Sequence, residues 1–337
     1  MGLDAALLLI SLGIILISAG VFTNGVEWLG RKLRLTEGAV GSILAAVGTA
    51  MPETVIPLIA LLLGHGEAEK EIGIGAILGA PFMLGTLALF ISGGAVLAFR
   101  RQRAASYPRL EPDAVVIRRD LLFFLVVYTL AIGAAFLPRP WKPVVATGLV
   151  AAYIYFVYET MSKGHTLDGE ESEGDPLYLY RKAGDPPLGL VVFQVLLGFL
   201  GIVGGARVFV DGVADLSALL GVPSLVFSLL VAPLATEMPE KFNSVIWLAQ
   251  RKDTMALGNI TGAMVFQSSV IPAIGMVLTP WVLTETAVFS AMLALASGLL
   301  TYLLLLWRGY LDARFTMVYG GIFYASFMAA VLTGKVS

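Results

Sequence analysis

The chain contains no cysteine, which excludes disulfides and thiolate metal sites. Its two histidines, His65 and His165, lie apart and outside any HExxH spacing, so the zinc-protease pattern is missing and both read as surface residues. Charge is scarce. Only 14% of the 337 residues are charged and 58% are hydrophobic, whereas soluble domains carry about 25% charged residues. So little polar surface cannot cover a water-soluble body, which makes lipid the expected solvent. The net charge of -2 favours no nucleic acid partner. No nucleotide motif is present: Gly73-x-Gly75-x-x-x-Gly79 lacks dinucleotide-binding spacing and sits in an apolar run, where close helix packing is the reading, as for Gly258 and Gly262. A nucleophile with its base, paired aspartates and a metal motif are all missing, so no enzyme and no cofactor is expected.

Long apolar runs are what the chain has. A membrane helix needs about 20 mostly apolar residues, and such stretches fall at 4–24, 38–63, 72–98, 120–138, 143–161, 187–210, 222–249, 255–280, 284–306 and 315–333. The expected fold is an all-α integral membrane protein of about ten transmembrane helices. The longest polar interval, 162–186, is too short for a domain of its own and reads as a cytoplasmic polar linker between five-helix units at 1–161 and 187–337. The start, Met1-Gly2-Leu3-Asp4, lacks the basic region and cleavage site of a secretory signal, so the first run is expected to be a retained helix.

With ten helices both termini share one side, and the basic residues divide unequally between the two faces. One face receives sixteen, namely Arg31, Lys32, Arg34, the run Arg100, Arg101, Arg103, Arg109, Arg118 and Arg119, then Lys163, Arg181, Lys182, Arg251, Lys252, Arg308 and Arg314. The other receives Lys70, Arg139, Lys142 and Lys335, leaving Arg207 near the end of helix 6 and Lys241 inside helix 7. The positive-inside rule then places both termini outside the cytoplasm of a multi-pass protein in the cell membrane. The run from Arg100 to Arg119 reads as a determinant of this topology, with no chemistry assigned.

An internal repeat appears at an offset of 187 residues. Val21-Phe22-Thr23-Asn24-Gly25-Val26 lines up with Val208-Phe209-Val210-Asp211-Gly212-Val213, and Thr49-Ala50-Met51-Pro52-Glu53 with Thr236-Glu237-Met238-Pro239-Glu240. Beyond these, an offset of 183 pairs Gly75 and Gly79 with Gly258 and Gly262. Units of five helices, an odd number, cross the membrane in opposite senses. This is an inverted repeat, an architecture of transporters that alternate access to a site near the midplane.

Thr49 and Glu53 lie one turn apart, and Thr236, Glu237 and Glu240 fall within five residues, so each unit offers hydroxyl and carboxylate oxygens, the ligands of hard cations. Carboxylates in hydrocarbon are costly unless a cavity or partner receives them. Pro52 and Pro239, with Pro57 and Pro233 nearby, free backbone carbonyls and suggest discontinuous helices. The bland alternative is kinked helices with neutralised glutamates. Asn259 and Gln267 either add amide oxygens to the site or bond neighbouring helices, and Asn24 and Asp211 either cap helices 1 and 6 or line an ion vestibule.

Gly48-Thr49-Ala50-Met51-Pro52-Glu53 and Ala235-Thr236-Glu237-Met238-Pro239-Glu240 resemble the alpha repeats of the sodium/calcium exchanger family, in the cation/calcium exchanger superfamily, with its pattern Gly-Thr-Ser-x-Pro-Glu. The likeness is to a divergent member of bacterial or archaeal type. It extends to Ser244 and to Gly258-Asn259-Ile260-Thr261-Gly262. The resemblance implies that Glu53 and Glu240 are central ligands of calcium and sodium, with Thr49 and Thr236 adding oxygens. Departures are equally plain: family ligand positions are Pro81 and Met264 here, a later Asn becomes Leu84 and Gln267, and the motif Ser becomes Ala50 and Glu237. Lys241, four residues after Glu237, can pair with it or stand in for a cation.

The expectation is a secondary active cation antiporter exchanging sodium and calcium by alternating access. Its partners would be inorganic cations and the bilayer. A proton-coupled exchanger, or a transporter of another cation on the same fold, is the alternative.

Overall fold

The computed structural model describes residues 2–33, 50–64, 66–162, 176–180 and 185–334, without side-chain positions for 2–5 and 238–242. Thr49, His65, His165, Arg34, Lys163, Arg181, Lys182 and Lys335 therefore lie outside the described residues, as do the side chains of Glu240 and Lys241.

The described chain is almost wholly helical. In order it forms α1 (Gly2–Lys32), α2 (Met51–Leu63), α3 (Glu67–Ala98), a strand β1 (Arg109–Leu110), α4 (Ala114–Gly133), α5 (Lys142–Ser162), α6 (Leu188–Leu220), α7 (Ser224–Ala249), α8 (Asp253–Leu278), α9 (Glu285–Arg308), a strand β2 (Leu311–Asp312) and α10 (Ala313–Leu332). Helices suit an apolar solvent because each satisfies its own backbone polar groups. Local chemistry sets several ends. Asp113 caps α4 by accepting from Val115 N and Val116 N, Asp312 caps α10 from Arg314 N and Phe315 N, and Thr284 accepts from Ala287 N at the start of α9. Left-handed Gly221 and Gly309 close α6 and α9.

By length and composition, seven helices among the described residues can cross a membrane: Ala6–Lys32, Glu67–Ala98, Arg139–Ser162, Leu188–Leu220, Asp253–Leu278, Glu285–Arg308 and Ala313–Leu332. Met51–Leu63 and the Ser224–Glu237 part of α7 are shorter apolar segments. The twenty residues of α4 are interrupted by Arg118, Arg119 and Asp120. The structure thus supports a multi-pass helical membrane protein; among the described residues, α2, α4 and the Ser224–Glu237 part of α7 fall short of that signature.

Glycines decide two of the closest contacts. A Cβ on Gly79 would lie 2.1 Å from Leu229 O and one on Gly75 2.4 Å from Leu225 O, so α3 and α7 meet backbone to backbone. Gly262 behaves differently from its repeat mate Gly79, with nothing among the described residues within 4 Å of a Cβ there. Further along α3, Pro81 precedes a π-turn over Leu84–Ala88, where the helix packs against α9 and α10. The missing proline N–H and the widened turn belong to one irregularity.

Two apolar clusters result. One joins α1, α2 and α6 through residues such as Ile15, Phe22, Ile56 and Phe209; the other holds α4, α5, α8, α9 and α10 together around Phe82, Tyr128, Met264 and Trp281. Helices α3 and α7 contribute to both, Ile72 and Ala76 to the first and Ile77 and Leu78 to the second.

Two sequence expectations change here. Helix α7 runs unbroken through Pro233 and Pro239, so the expected discontinuity is not found there. Arg207 lies well inside α6 rather than near its end, pairing at 3.2 Å with Asp211 one turn on, so Asp211 is not a cap. Within the basic run Arg100 to Arg119, Arg103 is 0% exposed, and Arg119 bonds the buried Asp120 at 2.8 Å.

Candidate functional site

The site begins with the first turn of α2. Pro52 occupies a position whose N–H has no helical acceptor, and Glu53 follows in the same turn, where the helix dipole favours negative charge. Glu53 is buried, 8% exposed, and faces a narrow, partly open cleft. The cleft is lined by Glu53, Ile56 and Pro57 of α2, Ala76 and Ala80 of α3, and Ala232, Pro233 and Thr236 of α7. It thus lies where helices shared between the two apolar clusters meet. Small residues from α3 leave the room, and oxygens come from both motif segments: the Glu53 carboxylate from one, the Thr236 hydroxyl from the other.

Thr236 donates at 3.2 Å to Ala232 O, one turn back, which leaves its oxygen lone pairs for another partner. Glu237, next in sequence, is fully buried and accepts a hydrogen bond from Gln267 Nε2 on α8. Gln267 Oε1 and Ser244 Oγ are buried and make no hydrogen bond with the described residues. An acceptor without a donor in such surroundings calls for a cation or a water. Among the described residues no three Asp, Glu or His groups gather closely enough to hold a metal by themselves.

The predicted site residues therefore separate. Glu53 and Thr236 share the cleft, and Glu237 and Gln267 are joined. Asn259 is half-buried on α8 and does not line the cleft. Thr49 and the side chains of Glu240 and Lys241 are outside the described residues, so the proposed Glu237–Lys241 pair has no described geometry. Pro81 and Met264 are buried apolar residues.

Asn24 is neither cap nor vestibule. Its Oδ1 accepts from Gln194 Nε2 at 2.8 Å and from Tyr178 N at 3.1 Å, its Nδ2 donates to Pro176 O at 3.4 Å, and Gln194 Oε1 accepts from Leu179 N at 2.9 Å. These two buried amides fasten residues 176–180 of the polar interval to α1 and α6. Sequence reading missed Gln194 because a lone amide in an apolar run shows no partner.

The family model described as "Sodium/calcium exchanger protein" matches residues 3–162 and 190–334. The inner membrane protein YrbG of Escherichia coli (strain K12) is 22% identical over 315 residues, covering 91% of this chain and 89% of that one. The crystal structure of the H+/Ca2+ exchanger CAX superposes with a TM-score of 0.72 at 16% identity, covering 98% of this chain and 82% of the other. A structure of the sodium-calcium exchanger NCX_Mj gives 0.57 at 18% identity, covering 97% and 98%. At such identities the two structures speak to the fold alone.

Proposed function

The chain belongs to the sodium/calcium exchanger protein family, and from that premise we propose that it exchanges sodium for calcium across the cell membrane by alternating access. It acts as a secondary active antiporter, with no catalytic chemistry of its own. The observation that carries the reading is the cleft shared by Glu53 and Thr236, one oxygen donor from each copy of the repeated motif. Paired buried oxygens suit calcium and sodium, which take oxygen ligands from carboxylates, hydroxyls and carbonyls.

The proposed site is Thr49, Glu53, Thr236, Glu237 and Glu240, with Gln267 and Asn259 contributing amide oxygens from α8. Glu53, Glu237, Glu240 and Lys241, all ionised, sum to -2 and balance one divalent ion. The site sits between inverted five-helix units at 1–161 and 187–337, ten helices in all, with 162–186 as a cytoplasmic linker and both termini outside. Helices α2, α4 and α7 then cross in spite of their length or charge, α4 presenting Leu122, Val126 and Leu130 outward.

The test is transport by the purified protein in sodium-loaded liposomes diluted into sodium-free buffer, followed by radioactive calcium. Uptake is expected to require internal sodium and to vanish in Glu53→Gln and Glu240→Gln. Folded wild type that takes up no calcium under a sodium gradient would overturn it.

A second reading has protons in place of sodium. It is favoured by Glu237, a carboxylate where the resembled motif has serine, and by apolar Pro81 and Met264 at family ligand positions. Calcium uptake driven by a pH gradient without sodium separates the two.

A further inference from the structure

The basic run that sequence reading left without chemistry contains an ordered basic and aromatic platform. Strand β1 pairs antiparallel with β2, Arg109 opposite Asp312 and Leu110 opposite Leu311. Ala313 N donates to Pro108 O at 2.9 Å, extending the junction by one more bond. This brings the α3–α4 loop against the α9–α10 link and interleaves their side chains. The Arg109 guanidinium lies 4.6 Å from the ring centroid of Tyr310, and that of Arg314 lies 5.7 Å from Tyr107 while donating at 3.4 Å to its hydroxyl.

The platform has a rigid back. Fully buried Arg103 donates from Nη1 and Nη2 to the two carboxylate oxygens of Asp253 at 2.6 and 2.8 Å, to Leu248 O at 2.6 Å and to Arg109 O at 2.9 Å. Glu111 N adds a bond to Asp253 Oδ2 at 2.8 Å. The backbone that presents Arg109 is therefore fixed from behind.

Neither presented guanidinium is in ion-pair contact with a carboxylate among the described residues. The same holds for the exposed Arg308, and the nearby Asp312 carboxylate is engaged in capping α10. Their level is set by the helices they join: α9 ends at Arg308 and α10 begins at Ala313, and both are apolar enough to cross a membrane. Trp307 is 75% exposed beside them, and Phe315, Val318 and Ile322 form an exposed apolar stripe down α10 at helical spacing. Unpaired guanidiniums held on aromatic faces, with an apolar stripe running on into the membrane, complement a phosphate head with acyl chains below it.

We propose that Tyr107, Arg109, Tyr310 and Arg314 form a binding site for the headgroup of an anionic phospholipid, whose chains run along Phe315, Val318 and Ile322. Such a lipid bridges the loop after α3 and the link before α10, two segments far apart in the chain.

The experiment is native mass spectrometry of the purified full chain, titrated with phosphatidylglycerol or phosphatidylcholine. Wild type is expected to prefer phosphatidylglycerol. Arg109→Gln with Arg314→Gln should weaken that binding about fivefold per guanidinium removed, whereas Arg100→Gln with Arg101→Gln, an equal loss of exposed charge off the platform, should leave it within about twofold. Should the double variant misfold, Arg314→Gln alone still reports, since its exposed side chain bonds Tyr107 and supports no buried group. Equal weakening by the control pair, or a wild type that binds both lipids alike, overturns the site.

Discussion

Two buried residues show how partners determine what a polar side chain is for. Glu237 and Gln267 meet inside the helical body, and Gln267→Leu would strip the carboxylate of its amide donor without changing the fold around it. We expect a cost of about 1–3 kcal/mol, seen as a lower melting temperature in detergent, together with loss of calcium uptake. Arg103 makes a different case. Removing its guanidinium leaves Asp253 buried and unpaired, so Arg103→Met should destabilise by about 3–5 kcal/mol, and adding Asp253→Leu should recover much of that. Arg101→Met, on an exposed neighbour, should leave the melting temperature unchanged. Calorimetry or fluorescence melts of the four proteins check the ordering, and a double variant no better than Arg103→Met alone would show that the ion pair is not the cause.

Among the elements, α3 and α7 form the interface with least room to adjust, because Gly79 meets Leu229 at the backbone. Gly79→Val forces backbone, not a flexible side chain, to move, and overpacking of this kind costs about 1–3 kcal/mol or more. Its folded yield after size exclusion should fall sharply. The repeat mate gives the contrast: Gly262→Ala adds a methyl where none of the described residues approaches and removes a helix-weakening glycine, so it should be neutral or stabilising by up to about 1 kcal/mol. Equal loss at both glycines would mean that the two helices are packed alike. The pair Asn24 and Gln194 acts between elements as well, holding residues 176–180 on α1 and α6, and Gln194→Leu should expose that segment to protease.

Over the whole molecule, the repeat and the charge asymmetry make one joint prediction. Because the chain lacks cysteine, a single introduced thiol reports its side of the membrane without background. In intact cells, Ser337→Cys should react with an impermeant maleimide, and Arg101→Cys only after permeabilisation. The reverse pattern would place both termini in the cytoplasm and overturn the positive-inside reading.

Composition, apolar runs and the recurring Met-Pro-Glu segments by themselves determined a helical membrane protein, its family resemblance and the segments that carry the candidate ligands. Those signals are local or periodic, and hydrophobicity over a helix length survives any packing. Only the tertiary structure decided that Arg103 is a buried anchor, that Asn24 holds a strap rather than a helix end, that α7 continues through its prolines, and that Glu53 shares a cleft with Thr236 while Glu237 turns to Gln267. The side-chain outcomes among these depend on a partner distant in the chain, 150 residues away for Arg103 and Asp253, and a side chain's role in a low-dielectric interior is set by whichever group meets it there.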